Sequence, residues 1–220
     1  MSQKPMNVKE EWIILGSGPS APEYLPLVLT PERKVACVNG SVGLLPKGRF
    51  PDTYAVFEGA AMGKYGSLYK EMQESGVTLV ARRIVSKIAG FKPDVEIDVG
   101  WGSESGYDKE RVTERLSGAM VSGGVELLHA IAHRLRPPVI HAVGFDGYEP
   151  AKLHADAAGS VEPRSAQWCN HANAGMTAHI AAITQAYPKV QFIFYGKPCH
   201  ATPDWRCNFV EGATHGKAAS

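Results

Sequence analysis

No stretch of this 220-residue chain approaches the ~20 consecutive apolar residues that cross a bilayer as a helix. An excess of charge of one sign is also lacking: 23 Lys and Arg face 22 Asp and Glu, for a net +1. That balance excludes the basic footprint of a protein whose main partner is nucleic acid. Cysteine is sparse: Cys37, Cys169, Cys199 and Cys207. None of them falls into the paired Cys-x2-4-Cys spacing of a zinc finger or ribbon. Free thiols are therefore expected, with a zinc set of Cys169, His171, Cys199 and Cys207 as the competing reading. Met1 to Glu11 is polar and lacks the apolar centre of a secretory signal. The expectation is a soluble, cytoplasmic protein with no transmembrane segment. No internal repeat is visible.

What is present is a regular alternation. Hydrophobic residues make up 44% of the chain, enough for an ordinary core, and the length suits one sizeable domain. Apolar, β-branched runs predict strands at 12–15, 34–38, 53–57, 77–81, 139–143 and 190–195. Helical spacing predicts helices over 22–29, 61–74, 124–134 and 172–187. In the last two, Val125, Leu128, Ile131, Ala132 and Leu135 share one face, as do Met176, Ile180, Ile183 and Ala186. Strands alternating with helices argue an α/β fold with a mostly parallel sheet and helices on both faces. The expected organisation is one α/β domain over 1–211 and a disordered tail over 212–220. The glycine-rich and acidic stretch from Gly90 to Gly118 fits no element. The polar stretch at about 148–165 follows a strand end and reads either as a mobile lid or as a surface loop.

Four motifs carry candidate chemistry. The first strand runs into Gly16-Ser17-Gly18-Pro19-Ser20. The glycines allow close backbone approach, and open N–H groups at the following helix start, with Ser20 as its cap, would favour an anion such as phosphate. Ser122-Gly123 opens a later helix in the same style, although capping alone explains Ser122. Asp146, in Gly144-Phe145-Asp146-Gly147-Tyr148, falls at a strand's carboxyl end, where α/β ligands sit. His171 is expected just before the last long helix, where the positive dipole end favours a neutral imidazole suited to act as a base. A dinucleotide site wants an acid at the end of strand two, and Asn39 stands there instead. A Walker loop is excluded because no Gly-Lys-Ser/Thr follows the first glycines.

The order of these motifs resembles the bacterial lipooligosaccharide sialyltransferases and the wider group of 6-hydroxymethylpterin diphosphokinase-like proteins. The resemblance spans roughly residues 12 to 198. It implies a Rossmann-like nucleotide-binding domain with a lid, acting as a metal-independent glycosyltransferase on a CMP-type sugar donor. It further implies that Gly16, Ser17, Gly18 and Ser20 lie at the donor phosphate and that Asn39 contacts the donor. Ser122 and Gly123 would hold the cytidine side, and Asp146 would support the pocket. Tyr148 matches a tyrosine that bonds the leaving phosphate, and His154 stands by counting where the family has a second one. His171 matches the general base. Ser17 replaces the family's asparagine, so donor contacts must differ. The pterin diphosphokinase-like side implies instead ATP and magnesium, held by Glu58 and Asp146. A nucleotide-binding module without catalysis is the third reading. Acceptor and oligomeric state stay open.

Overall fold

In a computed structural model of the chain, each predicted apolar run forms a strand. The structure describes residues 10–57, 68–82, 85–87, 92–97, 122–150, 165–196, 198 and 201–211. The strands are β1 (Trp12–Leu15), β2 (Lys34–Val38), β3 (Thr53–Val56), β4 (Thr78–Arg82), β5 (Val95–Ile97), β6 (Val139–Val143), β7 (Gln191–Tyr195) and β8 (Asn208–Val210). The main helices are α1 (Ala21–Val28), α2 (Gly123–Arg134) and α3 (Ala166–Ala186), and residues 68–74 are helical as well. One sheet holds all eight strands in the order β5-β4-β3-β2-β1-β6-β7-β8, and every pairing is parallel. The two strands absent from the sequence reading, β5 and β8, are three residues each and form the sheet's edges.

Side-chain alternation along each strand splits the core into two layers. Ile14, Ala36, Val38, Ala55, Ile140, Ala142, Phe192 and Phe194 face α2 and α3. Ile13, Leu15, Val35, Cys37, Tyr54, Val56 and Val143 face α1 and the helical turns at 68–74. Strands buried on both faces explain why the sequence shows continuous apolar runs. The chain winds outward from β1 in one direction through β5. It then returns to pair β6 on the other side of β1. The crevice between the loops after β1 and β6 is thus the sheet's topological switch point, where ligands of open α/β folds collect. No helix among the described residues is long and apolar enough to cross a membrane. Cys37, Cys169 and Cys207 are free thiols, the first two buried. Cys199 lies outside the described residues, as do Glu58, residues 98–121, most of the 148–165 stretch and the tail over 212–220.

A polar network crosses the α1 side of the sheet. His141 is only 3% exposed. Its Nε2–H donates to the Glu11 carboxylate at 3.0 Å, and its Nδ1 accepts from the Tyr195 hydroxyl at 3.0 Å. Arg33 donates to the same carboxylate at 2.8 Å. The bonds from His141 and Arg33 hold the Glu11 carboxyl below its ordinary range, and burial pushes His141 down. Burial lowers His179 as well, whose Nδ1–H donates to the Gly175 carbonyl. A histidine lowered in the folded state binds its proton more readily when unfolded, so its contribution is complete above about pH 6.5 and declines as pH falls. Glu11 acts in the same direction at lower pH. Urea unfolding stepped from pH 7.5 to 4.5 is expected to show falling stability. His141→Leu should flatten the slope between pH 7 and 5, with His179 supplying the remainder. An unchanged slope would remove His141 from the account.

Candidate functional site

The crevice is built by backbone approach. Gly16 N–H donates to the Val143 carbonyl at 2.8 Å, and Gly18 N–H to the Gly144 carbonyl at 3.0 Å. A Cβ on either Gly16 or Gly18 would stand 2.6 Å from the Gly144 oxygen, so no side chain fits at these positions. Gly144 itself has φ +74, a left-handed conformation glycine adopts without strain. The two loops therefore lock against each other before any ligand arrives.

Asp146 completes the lock. Its Oδ2 accepts the Ser20 N–H at 2.9 Å. Ser20 is the N-cap of α1 yet makes no side-chain cap, and its Oγ is buried without a hydrogen-bond partner. The cap expected from Ser20 comes instead from Asp146, reaching across the crevice. A carboxylate at a helix N-terminus is stabilised by the dipole, and a charged hydrogen bond of this kind is worth about 1.5–3 kcal/mol. The open N–H groups expected at α1 are corrected accordingly: at Ser20, the protein's own carboxylate takes the anion's place. Gly16 and Gly18 likewise use their N–H groups on β6 and its loop.

The neighbouring loops are tied into the same rim. Buried Ser41, in the short 3-10 helix Asn39–Leu44, donates to the Leu15 carbonyl at 2.6 Å and accepts the Val38 N–H. Asn39 has φ +48, uncommon for a non-glycine residue but tolerated by asparagine. Its Oδ1 accepts the Phe57 N–H at 2.8 Å, and its main-chain carbonyl accepts the Tyr54 hydroxyl. Its Nδ2 faces Gly123, where a Cβ would come within 3.3 Å of it and 3.1 Å of Val38 and Phe57. Gly123 thus lets α2 begin directly over the ends of β2 and β3. Ser122 is the N-cap of α2 without a side-chain cap bond, so capping does not account for its hydroxyl. Phe145 packs against Gly124 and links the β6 loop to the same helix start.

On the other side stand Tyr148 and α3. The helix starts at Ala166, six residues earlier than the sequence suggests, and is capped by Ser165, whose Oγ accepts the Trp168 N–H. His171 is therefore exposed within the second turn, not at the helix start. Dipole effects fade beyond the first turn, so that argument for its neutrality does not carry over. Asn173, two residues on, reaches the loop after β6. Its Oδ1 accepts the Tyr148 N–H at 2.8 Å, and its Nδ2 donates to the Tyr148 carbonyl at 2.9 Å. The Tyr148 ring meets Trp168 edge-on at 4.9 Å. Asn173, Trp168 and Ser41 were missed as site residues because their partners lie far away in sequence. His154 and Glu58 lie outside the described residues, and Asp146 is committed to Ser20.

A scan against protein-family models and a search of curated proteins find no match. Among solved structures the fold is similar to the monofunctional α-2,3-sialyltransferase Cst-I from Campylobacter jejuni. The TM-score is 0.55 at 15% identity, over 88% of this chain and 79% of that one. It is also similar to CstII from the same organism in complex with the substrate analogue cytidine-5'-monophosphate. There the TM-score is 0.56 at 16% identity, over 86% and 81% of the two chains. A variant of CST-II in complex with CMP gives 0.57 at 15% identity, over 84% and 81%. At these identities the likeness is one of fold. The pterin diphosphokinase-like side of the resemblance finds no support in them.

The locked loops make a simple contrast. Gly18→Ala drives a Cβ into backbone and is expected to cost about 1–3 kcal/mol. Gly124→Ala meets Phe145 at an ordinary 3.4 Å in a helix and is expected to be neutral or stabilising by up to about 1 kcal/mol. Denaturant midpoints of the two variants check this, and equal midpoints would refute the lock.

Proposed function

We propose that this chain is a glycosyltransferase-like enzyme that takes a CMP-type sugar donor in the crevice at the switch point. The observation that carries the reading is convergence. The loops after β1, β2 and β6 and the start of α2, with Tyr148 in the β6 loop tied to α3 through Asn173, meet at one edge of the sheet, on a fold similar to sialyltransferases solved with CMP. Asn39, Ser122 and Gly123 line the nucleoside side, and Ser17 lies with Gly16 and Gly18 at the phosphate. Asp146 and Ser20 act as scaffold, holding the loop in place. Tyr148, with His154, stabilises the departing CMP phosphate, and His171 is the general base.

In this mechanism an acceptor hydroxyl attacks the anomeric carbon in line with the leaving phosphate. The bond from that carbon to the phosphate oxygen breaks as the new glycosidic bond forms. The acceptor proton passes to His171, and negative charge builds on the CMP phosphate, where the Tyr148 hydroxyl stabilises it. No metal is required by these steps. Asn173 fixes the Tyr148 main chain to the helix that carries His171, so the base and the phosphate contact move as one unit.

Two measurements test the reading together. CMP without magnesium is expected to raise the melting temperature, since a ligand that binds only the folded state stabilises it. His171→Ala is expected to lower donor turnover by about 10²–10⁴-fold while CMP binding stays nearly intact. Stabilisation by ATP with magnesium only, and none by CMP, would overturn the donor class. Full turnover in the His171 variant would overturn the base.

A further inference from the structure

The ends of α2 and α3 far from the crevice bring together a second set of metal-ligating side chains. His129 and His133 stand one turn apart on α2, the spacing that puts two imidazoles on one helix face. Tyr187, at the end of α3, places its hydroxyl between them. The phenol oxygen lies 3.1 Å from His129 Nε2 and 2.8 Å from His133 Nδ1. A hydroxyl has one proton, so it donates to one nitrogen and accepts N–H from the other. His129 is 3% exposed, while His133 and Tyr187 are half-buried and open to solvent. The cluster is remote from the crevice: the length of α2 from Gly123 to His133 is about 15 Å.

We infer that His129, His133 and Tyr187 form a binding site for a divalent transition metal of the zinc type. Imidazole nitrogens suit such ions, and the phenol oxygen is the third donor. Donor atoms around a tetrahedral zinc, at about 2.0–2.1 Å from the ion, lie roughly 3.3 Å from one another. The two observed oxygen–nitrogen separations, 2.8 and 3.1 Å, lie within a few tenths of an ångström of that spacing, and ion binding draws the two imidazoles together. On binding, the imidazole that donates to Tyr187 moves its proton to its other ring nitrogen, and the phenol proton leaves to solvent. Each nitrogen then presents a lone pair to the ion, and affinity falls with falling pH. Among the described residues no third His, Cys, Asp or Glu joins the two histidines, so the phenol is the third protein donor and a tetrahedral ion would take its fourth ligand from solvent. The ion staples the ends of the two helices that cover one face of the sheet. This inference rests on neither the donor nor the reaction proposed above.

The test uses the full chain without an affinity tag, titrated with zinc chloride by calorimetry. One equivalent of saturable binding is expected, with a rise in melting temperature. Both should be lost in His133→Ala, whose half-buried position makes it the safer histidine to replace. Tyr187→Phe should bind more weakly. Cobalt(II) supplies a second readout: a tetrahedral visible absorption band that disappears in His133→Ala. No binding by the parent chain, or binding and cobalt absorption unchanged in His133→Ala, would overturn the site.

Discussion

The backbone contact between the loops after β1 and β6 is the constraint from which the rest of the site follows. Two N–H groups, at Gly16 and Gly18, reach carbonyls of Val143 and Gly144 across a gap that admits no Cβ. This contact fixes where β1 ends, the direction in which α1 leaves and the position of Asp146. Because β1 is the strand from which the chain winds both ways, the same contact also sets the mouth of the crevice.

One consequence alters the meaning of the glycine-rich loop. Such loops bring an anion to a helix N-terminus. Here the Asp146 carboxylate already takes the Ser20 N–H, so the protein supplies an internal anion. The loop then acts as a rigid wall. In the proposed function, polar groups for a nucleotide come from the rim around it: Ser17, Asn39, Ser122 and Tyr148. Rigidity extends to α3 through Asn173, whose amide holds both main-chain polar groups of Tyr148. A site held by such bonds is pre-organised, which lowers the entropic cost of binding.

Strand positions were legible because parallel strands buried on both faces are continuous apolar runs. Trp12–Leu15, Lys34–Val38 and Val139–Val143 match the sequence reading residue for residue. The edge strands β5 and β8 escaped because three residues such as Val95-Glu96-Ile97 carry neither a run nor a period. The start of α3 was misplaced because its first turn, from Ala166 to Cys169, lacks the apolar spacing that marks the later turns, where Met176, Ile180 and Ile183 are buried. The placement of the Gly16–Ser20 loop, Asn39 and Asp146 after the carboxyl ends of β1, β2 and β6 was legible. Which atom bonds which was not. Asp146 lies 126 residues from Ser20 and Asn173 lies 25 from Tyr148, and no local pattern records such pairs.

The central claim, that the locked crevice is a mononucleotide pocket, is tested most directly by a crystal structure of the chain grown with CMP. The expected result is nucleotide density between the β1 loop and the start of α2, with its phosphate within hydrogen-bond distance of Tyr148. Density elsewhere, or an empty crevice at saturating CMP, would contradict the account.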